Sequence, residues 1–391
     1  MKVLILGNLF TYPSFSAAAA SSRVSAYARG FVQNQVPSIV ITLSNEYGYE
    51  KTTYEDGFKC FVALQQLKRN KYFLIRRYYK IKKYFNVISF INNEKKYKEP
   101  ISAIILYTRS PLLMIYAKLL ALYFSTLLIL EVTEHPLYDF KKYSLWKIFF
   151  PGAIYPFFNG FICISKSLHK YCEQYKHTKA SIINIPPLVD FVNFKGDFSI
   201  PIKDDYLLYS GSLTIHRDGI DNLIKSFHLV SKSYPSLKLV LGGKWYDEQT
   251  KKEIFHLVKT LQLDNKVIFL NFLPKKEILA YIYNVKIFCV ARNDNNQTSS
   301  AFPTKIAEYL FTGRPLLVTD VGDISDYLAD GENVYLSEPG NPQTFANKIE
   351  YILNNYKIAL NVAKAGKKIA KSSFCNNKNV KRLKEFLEQI N

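Results

Sequence analysis

The 391-residue sequence predicts an α/β protein built from two doubly wound Rossmann-like domains in series. Three observations predict it. The chain is too long for one ordinary core, and apolar residues at 48% are enough to fill two. Short apolar runs alternate with helical patterns in both halves, the mark of parallel sheets with crossovers. The rhythm stops in a mixed, Pro-flanked stretch, 188–203, and then restarts. This divides the chain into a first domain over 1–187, a linker over 188–203 and a second domain over 204–374. A last helix over 375–391 is long enough to return to the first domain. Domains of this kind leave a cleft beyond the carboxyl ends of their strands.

In order, Lys2–Gly7 reads as the first strand, followed by a loop rich in Ser, Ala and Tyr. Val24, Tyr27, Ala28 and Phe31 mark one face of a helix over 21–33. Strands follow at Ser38–Leu43 and Lys59–Leu64. The first loop carries no GxGxxG, so a dinucleotide fingerprint is absent. Pro111–Leu130 holds one charge, Lys118, and by length alone would span a membrane. A helix to about Tyr123, a break at Ser125-Thr126 and a strand over 126–132 explain the same residues. Further strands are read at 101–107, 160–165 and 181–187. The second half gives strands at 206–210, 237–241, 266–270, 286–290, 315–319 and 333–336. Its helices lie near 219–233, 247–261, 275–284, 303–312, 323–329 and 342–356, with a polar-faced helical stretch over 361–390.

Charge breaks the pattern once. From Lys68 to Glu99 eleven cations stand against two carboxylates, so +9 of the net +20 falls in this segment, interleaved with eight Tyr and Phe. Arg76, Arg77, Lys80, Lys82 and Lys83 are its densest cluster. Cations mixed with aromatics suit an anionic membrane surface, and the bland alternative is a solvated face with snorkelling lysines. Nothing beyond charge favours nucleic acid. The five Cys are scattered without a CxxC pair, and the six His show no metal spacing, so reduced thiols and no metal are expected. MKVLILGNLF is too short for a signal h-region. A cytoplasmic protein, peripheral at the inner face of the plasma membrane, is expected.

The densest signal is Asn293–Gly322. Asn293–Ser300 has no apolar side chain and reads as a solvated loop. Pro303 suits a first helical turn, Gly313 a helix C-cap and 315–319 a buried strand. The N–H groups of Ala301, Phe302 and Thr304 offer an anion site. Glu308 sits among the apolar positions of that helix, where a charge needs a partner. The alternative is an ordinary helix whose Glu308 reaches solvent.

Taken as a set, the second half resembles the family-4 (group 1) glycosyltransferases, retaining and metal-independent enzymes of the GT-B fold. The resemblance rests on IPPLVDFVNF from Ile185, YLLYSGSLTIHRDGIDNLIKSF from Tyr206 and LVLGG from Leu239. It continues with VIFLNFLPKKEILAYI from Val267, FPTKIAEYLFTGRPLLVTDVGD from Phe302 and LADGENVYL from Leu328. It covers most of 180–356 and is weaker in the first half, at 1–8, 130–136 and 163–171. The resemblance implies a nucleotide-sugar donor, held at its ribose by Glu308, the second carboxylate of a Glu-x7-Glu pattern. The first falls on Ser300, a departure. The family's phosphate-binding Gly-Arg falls on Gly211-Ser212, where Ser212 departs, leaving Arg217 as the cation and Lys305 as a second candidate. A His near the donor sugar falls on His135, with Glu131 and Glu134 as candidates for positioning the acceptor. The implied reaction moves a sugar to a glycan or lipid-linked acceptor with no cofactor. A non-catalytic GT-B scaffold, an epimerase or a phosphorylase are the alternatives.

Overall fold

In a computed structural model the chain forms two compact units, Met1–Leu188 with Asn376–Asn391, and Val189–Cys375. The structure describes residues 1–7, 19–43, 52–55, 57–63, 72–95, 100–135, 145–189, 202, 204–271, 273 and 275–391. Most of the expected loop after the first strand (its last residues, from Ala19, are helical), most of the linker and the ends of the basic segment (68–71 and 96–99) fall outside these residues.

The first unit holds an eight-stranded sheet in the order β3-β4-β2-β1-β5-β6-β7-β8. Its strands are β1 (Lys2–Gly7), β2 (Ser38–Thr42), β3 (Thr52–Glu55), β4 (Phe58–Val62), β5 (Ile101–Tyr107), β6 (Leu127–Val132), β7 (Gly160–Cys163) and β8 (Ser181–Asn184). Every pairing is parallel except β3 with β4, an antiparallel edge hairpin that the sequence did not announce. Polar Thr52-Thr53 and Glu55 lack the apolar run of the other strands, so the pattern is silent there. The helices are α1 (Ala19–Gln33), α2 (Phe73–Lys95), α3 (Pro111–Phe124), α4 (Leu145–Ile154) and α5 (Lys166–Tyr175). Pro111–Leu130 resolves as helix then strand, because Ser125 takes a left-handed conformation (φ 50°) and ends α3. Among the described residues no helix is long and apolar enough to cross a membrane.

The second unit is a six-stranded parallel sheet, β11-β10-β9-β12-β13-β14. It comprises β9 (Tyr206–Ser210), β10 (Lys238–Gly242), β11 (Val267–Leu270), β12 (Ile287–Val290), β13 (Leu316–Thr319) and β14 (Tyr335–Ser337). Around it lie α6 (Ile220–Ser233), α7 (Glu248–Thr260), α8 (Lys275–Asn284), α9 (Asn296–Ser299), α10 (Thr304–Thr312), α11 (Ile324–Tyr327), α12 (Pro342–Asn354) and α13 (Tyr356–Ser373). Strand order reverses between β9 and β12, the switch point at which doubly wound sheets bind ligands beyond the strand ends.

The expected single helical stretch over 361–390 is two helices, α13 and α14 (Asn376–Gln389), broken at Phe374-Cys375. Phe374 is buried against Phe302 and Tyr327, which stops the first helix. α14 belongs to the first unit, where Val380, Leu383, Phe386 and Leu387 join the core of α1 and the central strands. Gly30 of α1 permits the approach, since a Cβ there would collide with Val380. All five cysteines are free.

Candidate donor site

Four elements of the second unit converge on the turn after β9. Tyr309 of α10 ties down the strand end, its hydroxyl accepting from Ser210 N (2.9 Å) and donating to Ser210 O (2.9 Å). Its ring stacks on Phe288 of β12, with centroids 4.0 Å apart. Gly211 follows at φ 156°, and Gly243, after β10, at φ 137°. A Cβ on Gly243 would collide with Gly211 O, so these two strand ends approach as closely as backbone allows. A Cβ on Gly211 would meet Lys305 Nζ. The absent side chain leaves room for the ammonium.

Lys305, in the first turn of α10, is 17% exposed. Its Nζ donates to the Tyr209 hydroxyl, lies 3.9 Å from the Tyr209 ring centroid and stands 3.8 Å from Asp218 Oδ1. Asp218 is buried in the turn that leads into α6. It accepts from Thr214 Oγ1 (2.8 Å) and from Arg217 Nε (3.0 Å) and Nη2 (2.8 Å). Burial alone would raise the Asp218 carboxyl, but Lys305, Arg217 and Arg292 outweigh it and hold it at about 2. Burial also pulls Lys305 down, opposed by Asp218 and aided by Arg217 and Arg292, to about 8. Arg292, just beyond β12, is itself buried. Glu308, half-buried one turn along α10, acts on both Lys305 and Tyr309. Three cations thus face two carboxylates at a strand-end turn of the switch point. Cations gathered at the end of a strand are the kind of groups that hold an oxyanion.

Of the residues singled out in the sequence, the structure brings together Gly211, Arg217, Lys305 and Glu308. Ser212 is exposed; its carbonyl accepts from the Tyr209 hydroxyl (3.0 Å). Ser300 is buried, its hydroxyl donating to Asn296 O (3.0 Å). The stretch 293–300 is not a solvated loop. Asn295 caps α9 with a reciprocal capping box, and Thr298 is fully buried. Polar side chains that bond their own backbone can be buried, which an apolarity pattern does not detect. Two expectations at the start of α10 are corrected. Pro303 is its N-cap rather than its first residue, and the Ala301 N–H donates to Thr298 O (3.2 Å). Phe302 is buried at 3% exposure. Sequence reasoning passed over Asp218, Arg292, Tyr209 and Tyr309. Only the adjacency of Asp218 to Arg217 hinted at a pair.

His135, Glu134 and the basic segment belong to the first unit. Glu134 pairs with Arg109 (2.6 Å), both well exposed. The His135 ring lies 4.4 Å from Tyr171, and burial lowers its pKa below the usual histidine value. Glu131 is not available to an acceptor. It is fully buried, bonded by Arg23 Nε (2.6 Å) and by the Tyr27 hydroxyl (3.1 Å). Lys83 donates to Leu43 O (2.9 Å), and Lys82 lies 5.5 Å from the Tyr78 ring centroid. Arg77 and Lys82 are exposed. The side chains of Arg76 and Lys80 lie outside the described residues. Among those residues no group of three or more His, Cys, Asp or Glu could hold a metal ion.

Comparison with known proteins agrees with the sequence-based recognition. Residues 191–369 match the family described as "Glycosyl transferases group 1". An uncharacterized glycosyltransferase of Methanocaldococcus jannaschii is 21% identical over 232 residues, 59% of this chain and 59% of its own length. A phosphatidylinositol N-acetylglucosaminyltransferase component from Arabidopsis thaliana is 26% identical over 171 residues, 44% of this chain and 36% of its own. The chain therefore spans between about a third and three-fifths of these relatives. Among solved structures, sucrose-phosphate synthase from Thermosynechococcus elongatus superposes with a TM-score of 0.71 at 15% identity, covering 100% of this chain and 99% of that one. HepE of Anabaena in complex with UDP gives 0.70 at 15%, covering 100% of both. The fold is that of these GT-B proteins.

Proposed function

We propose that this chain transfers a sugar from a nucleoside-diphosphate donor to a lipid-linked glycan acceptor at the inner face of a membrane. The anomeric configuration is retained, and no catalytic metal takes part. The observation that carries this reading is the gathering of Lys305, Arg217 and Arg292 at the Gly211 turn, with Glu308 one helical turn away. In the reading, the cations hold the diphosphate and stabilise it as it leaves, the work a metal would otherwise do. Glu308 accepts from the ribose hydroxyls, each such bond to a charged acceptor contributing roughly 1.5–3 kcal/mol. Thr304, at the head of α10, borders the sugar. His135 and Glu134 serve the acceptor, which the first unit receives. UDP, bound in the Anabaena structure, is the first nucleotide to test. The plant relative's name, which includes phosphatidylinositol, supports a lipid-borne acceptor.

The test is calorimetry with UDP and a panel of nucleotide sugars, followed by transfer assays with membrane extract. Glu308→Ala should weaken donor binding about tenfold or more and leave the fold intact. Unchanged binding and transfer in that variant would overturn the site. One observation favours a second reading, a non-catalytic scaffold of a polysaccharide-assembly complex. Ser300, where the family has its first carboxylate, is buried with its hydroxyl bonded to Asn296 O. A scaffold of that kind binds none of the panel.

A further inference from the structure

Nine of the thirteen exposed large apolar side chains among the described residues lie at Tyr72 or on α2 and α3. Such clustering exceeds the scatter of single exposed apolar residues that any surface carries. On α3 the two faces are both apolar. Leu113, Met114, Ala117, Leu120, Ala121 and Phe124 are buried against the sheet. Leu112, Leu119, Leu122 and Tyr123 are 60–75% exposed, and Ile115 is 42% exposed. Their spacing of three and four residues makes a continuous stripe along the helix. On α2 the exposed apolar residues are Tyr78, Ile81 and Phe85. The helices meet where Tyr84 and Tyr116 pack edge to face at 4.6 Å, the Tyr116 hydroxyl donating to Tyr84 O (2.7 Å).

The charge on the same helices is nearly all positive. Together α2 and α3 carry seven Lys and Arg and a single carboxylate, Glu94. Glu94 is occupied by Lys2 (3.1 Å) and Lys59 (2.5 Å). Arg77 and Lys82 are exposed beside the apolar residues. An apolar stripe rimmed by cations fits an anionic bilayer, with the stripe among the upper acyl chains and the cations at the headgroups. At 14 residues α3 is too short to span, so it lies in the plane of the interface. A second copy of a chain with net charge +20 would bring like charges together on this face.

We infer that α3 and α2 form a membrane-docking surface, α3 inserting its Leu112–Tyr123 stripe into an anionic lipid leaflet. The inference rests on the lipid-linked acceptor of the proposed function and gives that acceptor a surface. It is tested by co-sedimentation of the full chain with vesicles of phosphatidylcholine alone and of phosphatidylcholine with phosphatidylglycerol. Wild type should bind the anionic vesicles, weakly the neutral ones, and less as salt rises. Leu119→Ser with Leu122→Ser should lower partitioning about a hundredfold. Arg77→Glu with Lys82→Glu should lower it at least about tenfold and flatten the salt dependence, each well-placed cation being worth roughly fivefold. Circular dichroism checks the fold of each variant, and UDP calorimetry keeps the two proposals apart. Vesicle binding without UDP binding upholds the docking surface and overturns the donor reading. Failure of wild type to sediment with anionic vesicles overturns the docking surface. So does a Leu119→Ser, Leu122→Ser variant that sediments like wild type. A concentration-dependent dimer that this variant abolishes, with no vesicle binding, overturns it too.

Discussion

Lys305 ties the proposed donor site to pH. Burial brings its pKa down from the usual lysine value to about 8, with Asp218 opposing the shift. An anion prefers the ammonium, so binding draws a proton onto Lys305 wherever the empty site has lost it. UDP affinity should fall by up to about tenfold per unit above about pH 8. Lys305→Arg, charged throughout, should flatten that profile in calorimetric titrations, and an unchanged slope would detach the lysine from the phosphate. For stability the sign is opposite. Between about 8 and the unfolded lysine value the unfolded chain holds more protons, so this group adds stability as pH rises. Asp218 gives a second prediction. Its folded pKa of about 2 lies below the unfolded value, so it stabilises the fold above that unfolded value and the contribution is lost only as pH falls towards 2. Asp218→Asn leaves Lys305, Arg217 and Arg292 facing one another. The cost should be about 2–3 kcal/mol, discounted from a fully buried pair because the Arg217 side chain is 30% exposed. Saturating inorganic phosphate should recover part of the lost melting temperature by mass action, more than it does for wild type.

At the scale of elements, the donor site depends on how closely β9 and β10 end. Gly243 at φ 137° against Gly211 O allows no side chain. Gly243→Ala should cost about 1–3 kcal/mol in denaturant unfolding and loosen UDP binding together, since the strand end must move. An alanine tolerated in both measurements would mean the turn has slack. In the first unit the corresponding tie is ionic. Arg23 of α1 bonds Glu131 of β6, the Tyr27 hydroxyl (2.7 Å) and the carbonyls of Ile185 (2.8 Å) and Pro186 (2.7 Å). One guanidinium so joins a helix, a strand and the segment leading out of the unit. The period of apolar residues made the strands legible, because buried parallel strands are nearly continuous in apolar side chains. It also located α3 and α10. It could not show the β3 edge, whose residues are polar, or α9, whose stability is in a capping box rather than an apolar face. Glu308 was legible as a charge out of place in an apolar helix. Asp218 was not, because its partners Lys305 and Arg292 are far off in sequence and meet it only through the sheet. Nor did the exposed stripe of α3 show, since an all-apolar helix reads the same whichever face is buried.

At the scale of the whole molecule, the chain closes its first unit with its last helix. Val380, Leu383, Phe386 and Leu387 are 8% exposed or less, in one core with Val3, Ile5 and Phe31. The return of a C-terminal helix was expected from its length and polar face, but a sequence does not say which surface receives it. Gly30, against Val380, and the Asn34–Asn377 amide pair (2.8 Å) define that surface. Burial of four such side chains contributes about 1.5–3 kcal/mol each, so roughly 6–12 kcal/mol in all. That is comparable with the entire stability of an ordinary domain, about 5–15 kcal/mol. A chain ending at Cys375 should therefore lose its first unit as a cooperative structure while the second, which contains every proposed donor residue, keeps its own core. Hydrogen exchange separates the outcomes. Protection should collapse over β1, β2 and β5 and persist over β9, β10 and β12, and calorimetry should still find UDP bound. If β1 and β5 stay protected in the truncated chain, the first unit folds without α14. The helix would then be a cover on a finished core rather than part of it.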